Sequence, residues 1–148
     1  MKLLALTSSL LAIVGSVVSL TLPATAIGTA LFAKTTTGLS LPTTGGQELR
    51  LTQILLPPGQ WVINYSATAV NGGAADTVRC YVRARETGQI LSGHVAEVGV
   101  QPGASLASTI SGVTLVNLNE PTTMVLTCVQ DNTGLGPYID AGAEIAAY

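Results

Sequence analysis

From Gln60 to Val70 the chain alternates along its length. Trp61, Ile63, Tyr65, Ala67 and Ala69 hold the odd positions, while Asn64, Ser66 and Thr68 sit between them. A period of two over so long a run describes a β-strand with one buried face, because helical side chains repeat near 3.6 residues. Asn71-Gly72-Gly73 then breaks the run with residues that tolerate positive φ. Thr77 to Arg85 repeats the pattern, with Val78, Cys80, Val82 and Ala84 on one side and Arg79, Tyr81, Arg83 and Arg85 on the other.

Six more segments read as strands: Thr29 to Ala33, Glu48 to Leu56, Ile90 to Val98, Leu106 to Leu118, Thr123 to Val129 and Tyr138 to Ala147. Turn signals separate them, among them Pro57-Pro58-Gly59, Thr87-Gly88, Pro102-Gly103 and Asp131-Asn132-Thr133-Gly134. No segment after Ala26 reads as an amphipathic helix, so a parallel sheet has no crossovers to build it. The expectation is an all-β, antiparallel sandwich or barrel of about eight strands. Trp61, Ile63, Val78, Val82, Leu115, Met124, Leu126, Ile139 and Ile145 are expected inside, and Lys34 to Gly46 is expected to be a surface loop.

Ahead of this domain, Lys2 precedes an apolar run from Leu3 to Leu22, followed by Pro23 and Ala24-Thr25-Ala26. Charge, apolar core and small residues in that order make a secretory signal peptide, expected over residues 1–26. The domain would then be residues 27–148, secreted and extracellular. A retained transmembrane helix is the other reading, but Ser8, Ser9, Gly15, Ser16 and Ser19 dilute the run and no basic cluster follows it. Loss of Lys2 leaves five basic and eight acidic side chains, a formal charge of −3. So weak a field gives no footprint for nucleic acid or, after signal removal, for membrane.

The stretch Leu56-Pro57-Pro58-Gly59-Gln60-Trp61-Val62-Ile63-Asn64-Tyr65 resembles a strand opening of jelly-roll domains of the complement-one-q and tumour-necrosis-factor type. Small secreted bacterial proteins of similar appearance carry one Cys strand after it, here Val78 to Val82, and another near the end, here Val125 to Val129. The resemblance implies a jelly-roll sandwich, with a homotrimer as its corollary.

Cys80 and Cys128 are the only cysteines. In an exported chain an even count favours one disulfide, and two buried thiols are the alternative. A disulfide closing this loop stabilises the fold by roughly 4 kcal/mol in the chain-entropy model. His94 is the only histidine, so neither a metal site nor a cofactor is expected. For catalysis His94 needs a serine and an orienting group within reach, and Ser92, Ser105, Ser108 and Ser111 are on offer. Gly103-Ala104-Ser105-Leu106-Ala107 departs from the Gly-x-Ser-x-Gly elbow at its last position, and His94 is read as an exposed surface residue. The eight acids are dispersed and read as solvated turn residues, which makes paired-carboxylate hydrolysis unsupported.

Arg79, Tyr81, Arg83 and Arg85 form the one charge cluster and project from one strand face. They are the candidate binding residues for an acidic protein or a glycan. Asp76, Glu86 and Glu97 are available to pair with them instead. Leu41-Pro42-Thr43-Thr44-Gly45 matches a sortase signal in letters, but over one hundred residues follow it, so cleavage there would remove the domain. Asn64-Tyr65-Ser66 is a glycosylation sequon placed mid-strand. The functional expectation is a secreted, non-catalytic structural or binding module that assembles with itself. A carbohydrate-binding module using the Arg79/Tyr81/Arg83 face and a small hydrolase relying on His94 are the alternatives.

Overall fold

The computed structural model describes residues 30–100, 102, 106–134 and 136–148. The expected signal peptide, Thr29 of the first expected strand and Ser105 lie outside the described residues. Ten strands form: β1 (Leu31–Lys34), β2 (Leu39–Ser40), β3 (Leu49–Leu56), β4 (Gly59–Val70), β5 (Asp76–Ala84), β6 (Ile90–Val98), β7 (Ala107–Leu118), β8 (Thr122–Gln130), β9 (Tyr138–Ile139) and β10 (Glu144–Ala147).

Sheet I is organised around β4. One edge of β4 pairs with β7 along its whole length, from Gly59↔Leu118 to Val70↔Ala107. Its other edge takes β10 at Ile63–Ser66 and β9 at Ala69–Val70, so these two short strands lie end to end. β1 pairs with β10 and β2 with β9 in the same stepped manner. Sheet II has the order β3-β8-β5-β6, and every pairing in both sheets is antiparallel. Ten strands therefore fill eight positions across two sheets, which is the expected sandwich with two of its strands broken.

The breaks have a local cause. At Asp140–Ala143 the chain turns through Gly142 at φ 94°, a left-handed conformation that favours glycine. The Thr35 hydroxyl accepts from the amides of Gly142 (3.2 Å) and Ala143 (3.1 Å), so the gap between β1 and β2 faces the gap between β9 and β10. The segment Lys34 to Gly46 is correspondingly not a free loop. It contains β2, buries Leu41, and donates the Leu41 amide to Pro137 O at 3.2 Å.

The inward rows of β4 and β5 are those the alternation assigned: Ile63, Tyr65, Ala67 and Ala69 face Val78, Cys80 and Val82 across a shared core with Met124, Leu126, Ile139 and Ile145. Trp61 packs half-buried against that core, and its indole Nε1 donates to Pro57 O at 3.0 Å, folding the ring back over the turn. Leu115 departs from expectation. It stands on the outward row of β7 opposite Val62 and is 78% exposed, while its neighbours Val116 and Leu118 point in.

Cys80 and Cys128 are bonded, and both are fully buried. They face one another in register on β5 and β8, so the link lies within sheet II and ties its two central strands. β8 is the most enclosed strand: Met124 through Gln130 are buried on both faces.

Candidate functional site

Three surfaces hold the residues that sequence singled out or that the fold exposes. The first is the outer face of sheet II. Arg79, Tyr81 and Arg83 do project together from β5, as the alternation requires. Each already has work inside the fold. Arg79 pairs with Asp131 and Arg83 with Glu48, so those two carboxylates take the place expected for Asp76 and Glu86. Asp76 is buried instead of solvated, and its Oδ1 accepts from the amides of Thr77 (2.7 Å) and Asn132 (3.1 Å). Both Glu86 carboxylate oxygens accept from the Thr123 amide, and hydrogen bonds from backbone and from Thr123 hold its carboxyl below the usual range.

The Tyr81 ring lies over Gly93, its register partner on β6, where a Cβ would sit 2.5 Å from Tyr81 Cδ1. An aromatic ring laid across an edge glycine restores the packing that the glycine lacks. The Arg83 guanidinium stacks 5.0 Å from the Tyr81 centroid. These long side chains cover Val125, Thr127 and Val129, which are buried although they point outward. Arg50, Arg83 and Arg85 then rim a cleft of about 180 Å³ floored by Val125 and Thr127. Arg83 Nε and Thr127 Oγ1 are buried beside it with no partner among the described residues.

The second surface is the margin where β6 meets β7. His94 is in register with Cys80, on the inward row of an edge strand, yet it is exposed at the open side of the sandwich. Its Nδ1 shares a 2.6 Å hydrogen bond with the buried Tyr65 hydroxyl, in a direction set by the imidazole tautomer. Ser92 Oγ lies 3.4 Å from the same hydroxyl. Burial pushes the Tyr65 phenol above its ordinary 10.0, against a smaller lowering from Ser92. Gly112 is the register partner of Tyr65, and a Cβ there would come within 2.5 Å of His94 Nδ1 and 2.7 Å of the Tyr65 oxygen. The three polar groups thus occupy a slot that only glycine leaves open. The hydrogen bond of His94 Nδ1 goes to the phenol, with Ser92 beside that phenol. Chemically the cluster is a polar clasp between the sheets.

The third surface is the outer face of sheet I. Tyr148, just past β10, makes one row with Val62 of β4 and Leu115 of β7, and Val62 and Tyr148 exchange backbone hydrogen bonds of 3.0 and 3.1 Å. Phe32, Ala146, Asn64 and Val113 make the adjacent row. Phe32 is 70% exposed, and Val62, Val113, Leu115 and Tyr148 are all exposed with it. The charged strand residues on this face are Lys34 and Glu144, which are register partners of opposite sign.

No family model and no curated protein matches the chain. Solved structures do. It superposes on a chain of the T13 infectious bursal disease virus particle with a TM-score of 0.52 and 11% identity, over 80% of this chain and 30% of that one. T=1 particles derived from infectious bursal virus give 0.51 and 10%, over 80% and 31%. This chain therefore spans about a third of the capsid chains it resembles. A carbohydrate-binding module in complex with β-1,4-galactotriose superposes at 0.42 and 12% identity, over 78% and 68%, too loosely to bear weight. At such identities the likeness is one of fold, a jelly-roll type β-sandwich.

Sequence reasoning missed the Tyr65–His94 clasp because Tyr65 reads as one more inward aromatic, and nothing in one strand reports which histidine meets its hydroxyl. It missed the outer face of sheet I because β7 is apolar on both rows. The clasp has a measurable consequence. A phenol whose folded pKa is raised stabilises the fold fully below about pH 10, and that contribution is lost as pH rises through the folded value. Urea unfolding of the wild type at pH 8 and pH 11 should show stability falling with pH. Tyr65→Phe should lose about 1 kcal/mol at pH 8 and show a shallower alkaline fall. An equal fall in both proteins contradicts this assignment.

Proposed function

We propose that this is an exported, non-catalytic structural or binding module that assembles with copies of itself through the outer face of sheet I. The observation that carries the proposal is the exposed apolar set on this face, Val62, Leu115 and Tyr148 in one row with Phe32 and Val113 in the adjacent one. Exposed apolar patches of this kind in folded proteins mark sites of association. The charges on the face favour a second copy, because Lys34 and Glu144 are one of each sign and become mutually complementary under a two-fold axis. Weak overall charge removes the repulsion that would otherwise keep copies apart.

Export rests on the order of Lys2, Leu3–Leu22 and Ala24-Thr25-Ala26. The bacterial, complement-one-q-like character rests on the strand opening at Leu56–Tyr65 and would make the assembly a trimer, whereas face-to-face contact makes a dimer. The capsid chains come from assembled particles, but their likeness carries only the fold. Native mass spectrometry of the secreted protein reads the cleaved mass and the subunit number together. A dimer or trimer lacking residues 1–26 is expected. Val113→Lys with Leu115→Lys should give a monomer with unchanged circular dichroism, and a monomeric wild type at high micromolar concentration overturns assembly.

A second reading has its own observation, the cleft between Arg50, Arg83 and Arg85 with its unpartnered Arg83 Nε and Thr127 Oγ1. An acidic glycan suits it, because guanidinium forks hold carboxylate or sulfate while the apolar floor takes a sugar face. On this reading an array of sulfated and neutral glycans gives binding to sulfated members only. Arg50→Ala with Arg85→Ala should then weaken it at least about tenfold, the loss expected for a charge-assisted hydrogen bond. Unchanged binding by the variant removes the cleft from consideration.

A further inference from the structure

At one end of sheet II, where β5 begins and β8 ends, a small cavity of about 100 Å³ opens between Ala74–Asp76 on one side and Gln130, Asn132–Gly134 and Gly136 on the other. Gln130 is 1% exposed. Its Nε2 donates to Asn132 O (3.0 Å) and Gly134 O (3.1 Å), which fixes the amide orientation and leaves Oε1 as the opposite atom. That Oε1 has no hydrogen-bond partner among the described residues. A buried carbonyl oxygen so held is costly unless something electropositive reaches it.

Asp76 supplies the second oxygen. Its Oδ1 is engaged by the Thr77 and Asn132 amides, which leaves Oδ2 on the cavity side. The two oxygens border the same space: a Cβ built on Gly136 would lie 3.0 Å from Gln130 Oε1 and 3.7 Å from Asp76 Oδ2. The lack of a side chain at Gly136 keeps that space open. Asp131, the other carboxylate of this loop, is committed to Arg79, so Asp76 is the carboxylate that borders the cavity.

We infer that the Asp76–Gln130 cavity is a binding site for a hard divalent cation of the calcium type. The donor chemistry decides the class. A carboxylate oxygen and an amide oxygen are hard ligands, which suit Ca²⁺ or Mg²⁺ and not a thiolate- or imidazole-seeking metal. The size fits a cation that keeps some water, since a water molecule takes about 30 Å³ in the liquid. Calcium is favoured over magnesium because two side-chain oxygens from different strands, completed by water, suit its flexible coordination better than the strict octahedron that magnesium demands. One carboxylate places the affinity at the weak end, about 0.1–1 mM, where extracellular modules bind calcium. Sequence spacing gives no sign of such a site, since its ligands are one aspartate and one glutamine far apart in the chain; among the described residues no three His, Cys, Asp or Glu cluster together. The inference stands apart from the assembly reading, whose face is on the other sheet.

The test uses the whole secreted protein, stripped with a chelator and returned to CaCl₂ or MgCl₂, followed by thermal melting and isothermal titration calorimetry. A saturable rise in melting temperature with CaCl₂ is expected, half-complete at about 0.1–1 mM and not reproduced by NaCl of equal ionic strength. Asp76→Asn keeps the two accepted amide hydrogen bonds and removes the charge, so it should weaken calcium binding tenfold or more. Gly136→Ala fills the cradle and should abolish the calcium response while melting normally in chelator. No calcium-dependent shift in the wild type up to 10 mM, or an undiminished shift in both variants, overturns the site and leaves bound water as the partner of Gln130 Oε1. Should Gly136→Ala fail to fold, Asp76→Asn alone decides.

Discussion

Everything in this molecule depends on two sheets burying one row of side chains from each of their long strands against the other. Apolar burial is worth roughly 25 cal/mol per Å², and the facing rows of β4, β5 and β8 supply it with Ile63, Val78, Val82, Met124 and Leu126. β8 lies between β3 and β5, and the Cys80–Cys128 bond removes its freedom to part from β5 in the unfolded chain. The polar elements follow from that closure. Thr35 satisfies amides where two strands break together, and Tyr65 reaches across to His94 where β6 and β7 leave the sandwich open.

The two outer faces solve their exposure differently. On sheet II, Arg79, Tyr81 and Arg83 lie over the outward row of β8 and bury Val125, Thr127 and Val129 with their aliphatic and aromatic parts. Long charged side chains that cover apolar surface while keeping their heads wet are a common means of finishing a sheet. On sheet I the outward rows of β4 and β7 hold Asn64, Ser66, Thr109 and Ser111 beside Val62, Val113 and Leu115, and none is long enough to cover a neighbour. The centre of the sheet II face is thus covered by its own residues, although Leu55 and Val95 stay exposed at its sides, whereas Val62, Val113 and Leu115 on sheet I have no such cover. That asymmetry joins the architecture to the proposed assembly.

The strand order of the sequence was readable where polar and apolar residues alternate cleanly. Gln60–Val70 and Thr77–Arg85 fold with the inward rows that the alternation assigns, and the cysteines meet because both stand on inward rows. In Leu106–Leu118 the pattern is ambiguous: Ile110, Val116 and Leu118 point in while Val113 and Leu115 point out. Alternation there fixes a strand without fixing its sidedness, which is why Leu115 was placed in the interior. Asp76 shows a different limit. A carboxylate after a glycine turn reads as solvated, and only the return of the chain at Gln130–Gly134 encloses it. Contacts between segments far apart in sequence, such as Tyr65 with His94 or Thr35 with Gly142, have no local signature, so the clasp and the strand breaks were invisible.

Native-state hydrogen exchange followed by NMR tests the closure of the two sheets most directly. If burial between the sheets holds the fold, the amides of Met124–Val129 in β8 and Ile63–Ala69 in β4 exchange slowest and with one shared free energy, that of global unfolding. Exchange of β8 with a free energy well below that of β4, or slowest exchange in the outer short strands β1 and β2, would contradict a core shared by both sheets.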